Sequence, residues 1–159
     1  MFALDSFDLD EIAHALQNQD AYDLRFLVDP RTGELVLWTL DGGLDGENPV
    51  DLDELDLIPI QPLPPYVWYQ DMADFAECVG DEQASLRLSR ALRGSGAFRR
   101  FKDQLHHDYP ELLPLWRAFR DVRARRRAVE WLSDNALTGL DVARQFIAEH
   151  PDPDLRQGQ

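Results

Sequence analysis

Apolar positions recur along the chain with two different periods, and the change from one to the other divides it. Leu9, Ile12, Ala13 and Leu16 fall on one helical face. Asp8 and Glu11 stand at capping-box spacing in front of them, and Phe7 and Ile12 at the spacing of a hydrophobic staple, so a helix starts near Asp8. The period then shortens. LRFLVD and ELVLWTL read as strands, joined through Pro30-Arg31-Thr32-Gly33, where Gly33 can take the positive φ that such a turn needs. Asp41 to Glu54 is rich in Gly and Asp and reads as an acidic loop. Leu55 to Ile60 is a short third strand, ended by prolines at 59, 62, 64 and 65.

From Pro65 the helical period takes over. Trp68, Met72, Phe75, Ala76 and Val79 share a face, with Gly80 in a C′ position. Shorter helices follow over 81–93, stopped at Gly94, and over 97–107, with Phe98, Phe101 and Leu105 inward. A long helix starts at Pro110, carries Leu112, Leu115, Phe119, Val122 and Val129 on one face, and ends near Asn135. A last helix spans 140–149, and the polar stretch 150–159 is expected to be a disordered tail. The expected fold is α+β: a small antiparallel sheet of about three strands, packed by a mainly helical C-terminal two-thirds. So small a sheet cannot bury its own face, so helices must cover it. One domain over 1–149 is expected.

Composition narrows the function classes. The 159 residues carry a net charge of −14 and a pI of about 4.5, against general binding to nucleic acid or anionic membranes. The charge is uneven. Residues 1–80 hold 18 acidic and 2 basic side chains, and residues 81–159 hold 12 and 14. Either the two halves neutralise each other inside the fold, or the basic stretch Arg87–Arg127 serves a partner. The single cysteine, Cys78, excludes an internal disulfide or a multi-cysteine zinc site. The N-terminus lacks the basic and apolar regions of a signal peptide, and no apolar run reaches membrane-spanning length. The expected compartment is the cytoplasm.

The most distinctive stretch is Gly94-Ser95-Gly96-Ala97-Phe98-Arg99-Arg100-Phe101-Lys102-Asp103. A Gly-rich turn opening a helix can present N–H groups to an anion, with Arg99, Arg100 and Lys102 adding charge. No strand precedes it, as the dinucleotide and phosphate-loop motifs require. The preferred reading is a structural joint, with Gly94 at C′, Gly96 as a small N-cap, and Phe98 and Phe101 in the core.

At these residues the sequence resembles an uncharacterised bacterial protein family of the UPF class. The likeness rests on the acidic N-terminal helix DLDEIAHAL, a strand pair around DPRTGEL, and the helix YQDMADFAECV. It continues in GSGAFRRFKD, followed by a proline, a Trp-bearing helix and RAVEWL. It covers residues 8–135, and the segment after Asn135 departs from the pattern. The resemblance implies shared ancestry and fold and brings no established function.

Sites for chemistry are sparse. Asp41, Asp45 and Gly46 match calcium-loop positions 1, 5 and 6, but Gly43 and Leu52 stand where carboxylates are needed, so the loop is expected to be exposed and metal-free. Adjacent His106 and His107 point about 100° apart and do not chelate. Cys78 has no basic neighbour in sequence to activate it. No catalytic residue, metal or cofactor is expected.

The long helix carries Trp116, Arg120, Arg123, Arg127 and Trp131 in one stripe. Arg and Trp are enriched at protein-interaction hot spots, and they also suit phosphates and bases. The favoured function is a non-enzymatic interaction or regulatory protein with an unknown protein partner. A nucleic-acid-associated protein using Arg99–Lys102 and Arg120–Arg127 comes second, disfavoured by net charge, and an enzyme third. Arg126 falls in the middle of the apolar face and is expected to be buried against Glu130 or a carboxylate of the acidic half, with Arg125 idle on the opposite side.

Overall fold

Asp8 opens the first helix as expected: its side chain accepts from the backbone N–H groups of Asp10 and Glu11, at 3.1 and 3.2 Å. This computed structural model describes residues 2–18, 24–39 and 57–156. The acidic loop Asp41–Glu54, with its calcium-loop positions and Leu55 of the third strand, lies outside the described residues. The elements are α1 (Leu9–Gln17), β1 (Leu24–Val28), β2 (Leu35–Thr39), β3 (Ile58–Ile60), α2 (Pro65–Cys78), α3 (Glu82–Ala91), α4 (Ala97–Asp108), α5 (Leu113–Asp134) and α6 (Leu140–Glu149). The architecture is α+β, with the helices mostly in the C-terminal part. The described residues hold no helix long and apolar enough to cross a membrane.

By their contacts the residues form two compact units. The first is Met1–Leu63 with Ala124–His150; the second is Pro64–Arg123 with Pro151–Gln159.

In the first unit, β1 and β2 pair antiparallel with Val28 opposite Leu35 and Leu24 opposite Thr39. Gly33 closes the turn at φ +77°, where an L side chain is strained, and its N–H donates to the Asp29 carbonyl at 2.7 Å. β3 pairs antiparallel on the other edge of β1, giving the order β2-β1-β3. α1 buries Ile12, Ala13, Ala15 and Leu16, and the Leu63 N–H donates to the Leu16 carbonyl at 2.8 Å. Ala124, Ala128, Val129 and Leu132 of α5 are buried, as is Ala143 of α6.

The second unit is helical, and its core is aromatic. Phe75 of α2 meets Phe101 of α4 and Trp116 and Phe119 of α5 edge to face, with ring centroids 5.3 to 6.2 Å apart. Such contacts add about 0.5–1.5 kcal/mol each to the burial of the rings. Pro65 starts α2 at a position where its missing N–H costs nothing. Asp81 caps α3 by accepting from Gln83 and Ala84 N–H.

Three expectations are corrected. Residues 151–156 are not a loose tail: Leu155 is buried in the second unit's core. Phe98 is not a core residue; it is 39% exposed, and Ala97, Phe101 and Leu105 form the inward face of α4. The third concerns α5. Leu112 just before it and Trp116 and Phe119 near its start are buried; further along the buried residues are Ala124, Ala128, Val129 and Leu132. At about 100° per residue the two sets are centred roughly half a turn apart. Arg126 and Glu130 extend the first set, so they continue a face that is no longer the buried one. Arg126 is therefore half-buried, and its guanidinium donates to the His150 carbonyl at 3.4 Å.

Candidate functional site

Two clusters of charged side chains stand out, each built around an arginine. The first lies at the joint between α3 and α4. α3 ends at Ala91 with Leu92 as its C-cap, so Gly94 stands one residue later than the expected C′ position. Gly94 and Gly96 take φ +77° and +76°, and Gly96 is the N-cap of α4. This double left-handed bend turns the chain sharply and leaves the last carbonyls of α3 without helical partners.

Arg100 meets that need. Its Nε donates to the Ala91 carbonyl at 2.9 Å, and its terminal nitrogens donate to the carbonyls of Arg93, Ser95 and Gly94. A cation at a helix C-terminus also meets the negative end of the dipole. Arg100 thus serves the joint rather than an external anion. The other basic groups of the region face solvent. Arg99 is 90% exposed, with Asp103 3.9 Å away, and Lys102, Arg87 and Arg90 are exposed. Arg87, Arg90, Ala91, Arg100, Asp103 and Gln104 line a shallow hollow of about 540 Å³.

The second cluster is centred on Arg123, whose side chain is only 16% exposed. Nη1 donates to Asp71 at 3.2 Å and to Asp74 at 2.5 Å. Nε and Nη2 grip both oxygens of Asp152, at 3.2 and 2.9 Å. The guanidinium also lies 4.4 Å over the Phe119 ring. Burial by itself would lower the Arg123 pKa; the hydrogen bonds to Asp152, Asp74 and Asp71 outweigh it and raise the pKa, so the group stays charged.

This arrangement takes the long-helix stripe apart. Trp116 is a core residue, and Arg123 is committed internally. Arg120 is partly exposed beside Asp121 at 3.3 Å, and Arg127 and Trp131 are half-buried in the first unit. Arg125, expected to be idle, donates to Asp10 at 2.8 and 3.4 Å. Cys78, His106 and His107 are exposed. Among the described residues no group of three or more His, Cys, Asp or Glu is placed to hold a metal.

A family model described as uncharacterised protein family UPF0158 matches residues 3–150. The chain belongs to UPF0158. A UPF0158 protein of Pseudomonas aeruginosa is 32% identical over 137 residues, which cover 82% of this chain and 83% of that protein. No solved structure matches the chain. The UPF0158 match includes α6, beyond the range that the sequence resemblance covers.

Within this UPF0158 chain, sequence reasoning missed Asp71, Asp74 and Asp152 as partners, and Arg87 and Arg90 as surface groups. A signal for Asp71 exists. It lies between Trp68 and Phe75 on the apolar face of α2 and is 2% exposed, so it needs a cation for the same reason that was argued for Arg126. Nothing local marks Asp152.

Proposed function

We propose that this is a cytosolic, non-enzymatic interaction protein whose docking surface is the basic face of α3 and α4. The observation that carries this reading is how the arginines are divided. Arg123 is enclosed by three carboxylates and Arg100, though exposed, is committed to backbone carbonyls, while Arg87, Arg90, Arg99 and Lys102 keep their charge at the surface. Arg87 and Arg90 share one hollow with Arg100, and exposed basic groups on a chain of net charge −14 suit a local acidic surface of a partner protein. The rest of the molecule repels polyanions at long range, which weighs against nucleic acid.

The test is affinity capture from the native cell with the wild type and with an Arg87→Glu/Arg90→Glu/Arg99→Glu/Lys102→Glu variant. Nuclease treatment and a mobility-shift assay at about 50 and 200 mM salt accompany it. A protein that is retained by the wild type, lost on the variant and insensitive to nuclease is the expected result. Salt-sensitive retardation of RNA or DNA, lost on the same variant, would replace this reading by a nucleic-acid one.

A further inference from the structure

Leu155 is 3% exposed among the core residues of the second unit, and three positions earlier Asp152 grips Arg123 through both carboxylate oxygens. Between and around these anchors the segment is nearly bare. Residues 151, 152, 154 and 156 are exposed, and 151–154 belong to no helix or strand. The segment is held by two side chains rather than by a backbone ladder, as a bound peptide is held in a side-chain pocket. It also lies beyond the residues that the family model matches.

The charge arithmetic points the same way. Asp71 and Asp74 already supply two carboxylates to one guanidinium, so Arg123 does not depend on Asp152 for neutralisation. What Asp152 adds is paired hydrogen-bond geometry at a partly open edge of the cluster.

We propose that the second unit contains an acceptor site for an Asp-x-x-Leu segment. In this chain Asp152–Leu155 fills it, and a partner protein's segment of the same spacing can displace the resident one. Arg123, pre-set by Asp71, Asp74 and Phe119, reads the aspartate, and the pocket among the core residues reads the leucine. This site is separate from the α3–α4 face and does not depend on it. The resident segment competes at an effective concentration on the order of millimolar, so it masks the site against weak ligands.

The experiment uses the full chain and a fluorescent peptide of residues 150–159, HPDPDLRQGQ. In an Asp152→Asn/Leu155→Ala variant the resident segment is disabled and the acceptor is intact. That variant is expected to bind the peptide at least ~10-fold more tightly than the wild type does, as relief of such masking requires. Adding Arg123→Met should abolish binding, and a peptide carrying the same Asn and Ala changes should not bind. A folded double variant that binds no peptide, or no more tightly than the wild type, overturns the proposal. Hydrogen exchange on the wild type gives an independent check should the variant not fold. Amides of 152–156 should exchange at least ~10-fold faster than those around Phe101 and Leu105, through local opening. Exchange of both sets only through global unfolding would make the segment a fixed part of the core and end the proposal.

Discussion

Arg123 and Arg126 are three residues apart on one helix, and Arg123 stands among three carboxylates. Removing Arg123 takes the paired cation from Asp71, which is almost fully buried, and leaves its charge near that of Asp74. Arg123→Met should therefore cost about 3 kcal/mol in urea melts, at the low end for a broken buried pair because Asp74 and Asp152 keep some water. Arg126→Ala should cost less than that, about 1 kcal/mol, since Arg126 is half-buried and donates to a carbonyl at 3.4 Å. Equal losses at both would mean that the enclosure of Arg123 contributes little. Part of this is legible in the sequence. A charged residue on an apolar face needs a partner, and that argument holds for Asp71. For Arg126 it overstated the burial, because a helical wheel assumes one buried face for the whole helix, and α5 changes its buried side between Phe119 and Ala124.

Among the elements, those governed by local rules were readable from the chain. The Asp8 cap, the Gly33 turn, the three-stranded sheet and the limits of α4 and α6 each follow from residues close in sequence. The joint between α3 and α4 follows in part. Its positive φ at Gly94 is a consequence of the Gly-Ser-Gly spacing, whereas the role of Arg100 depends on carbonyls that only the bend brings together. Open space surrounds a Cβ built at Gly94, so Gly94→Ala meets no clash and pays only for the left-handed backbone, about 1 kcal/mol. Asp81→Ala removes the acceptor for two N–H groups at the other end of α3 and should cost about the same. Thermal melts of the two single variants and the double variant check this. The losses should add, because the sites lie at opposite ends of α3 and share no partner.

At the scale of the whole molecule, the uneven charge finds a structural use. The acidic first half supplies Asp10, Asp71 and Asp74, and the basic second half supplies Arg125 and Arg123 to meet them. The same uneven pattern leaves the basic groups of α3 and α4 at the surface. The sequence carried the imbalance but not its division, since pairs such as Asp10 and Arg125 lie 115 residues apart. The hydrogen bond from Arg125 holds the Asp10 carboxyl below its usual 3.8. A lowered pKa in the folded state stabilises above the unfolded value and ceases to do so as pH falls through the folded one. Asp10→Asn should thus cost less than ~1 kcal/mol at pH 7, because the carboxylate is 68% exposed. The difference from wild type should fade as the pH drops below 3.8, as denaturant melts across the acid range would show.

The aromatic cluster around Phe75 has an optical consequence. Trp116 is one of four tryptophans, and its indole is enclosed by Phe75, Phe101 and Phe119. Its emission should be blue-shifted relative to that of a wetter indole and poorly quenched by iodide. The protein thus carries a built-in fluorophore for the interior of its second unit, needing no label. Leu155 belongs to the same buried cluster, so departure of residues 152–156 would open that core and should register as a red shift and a gain in quenching.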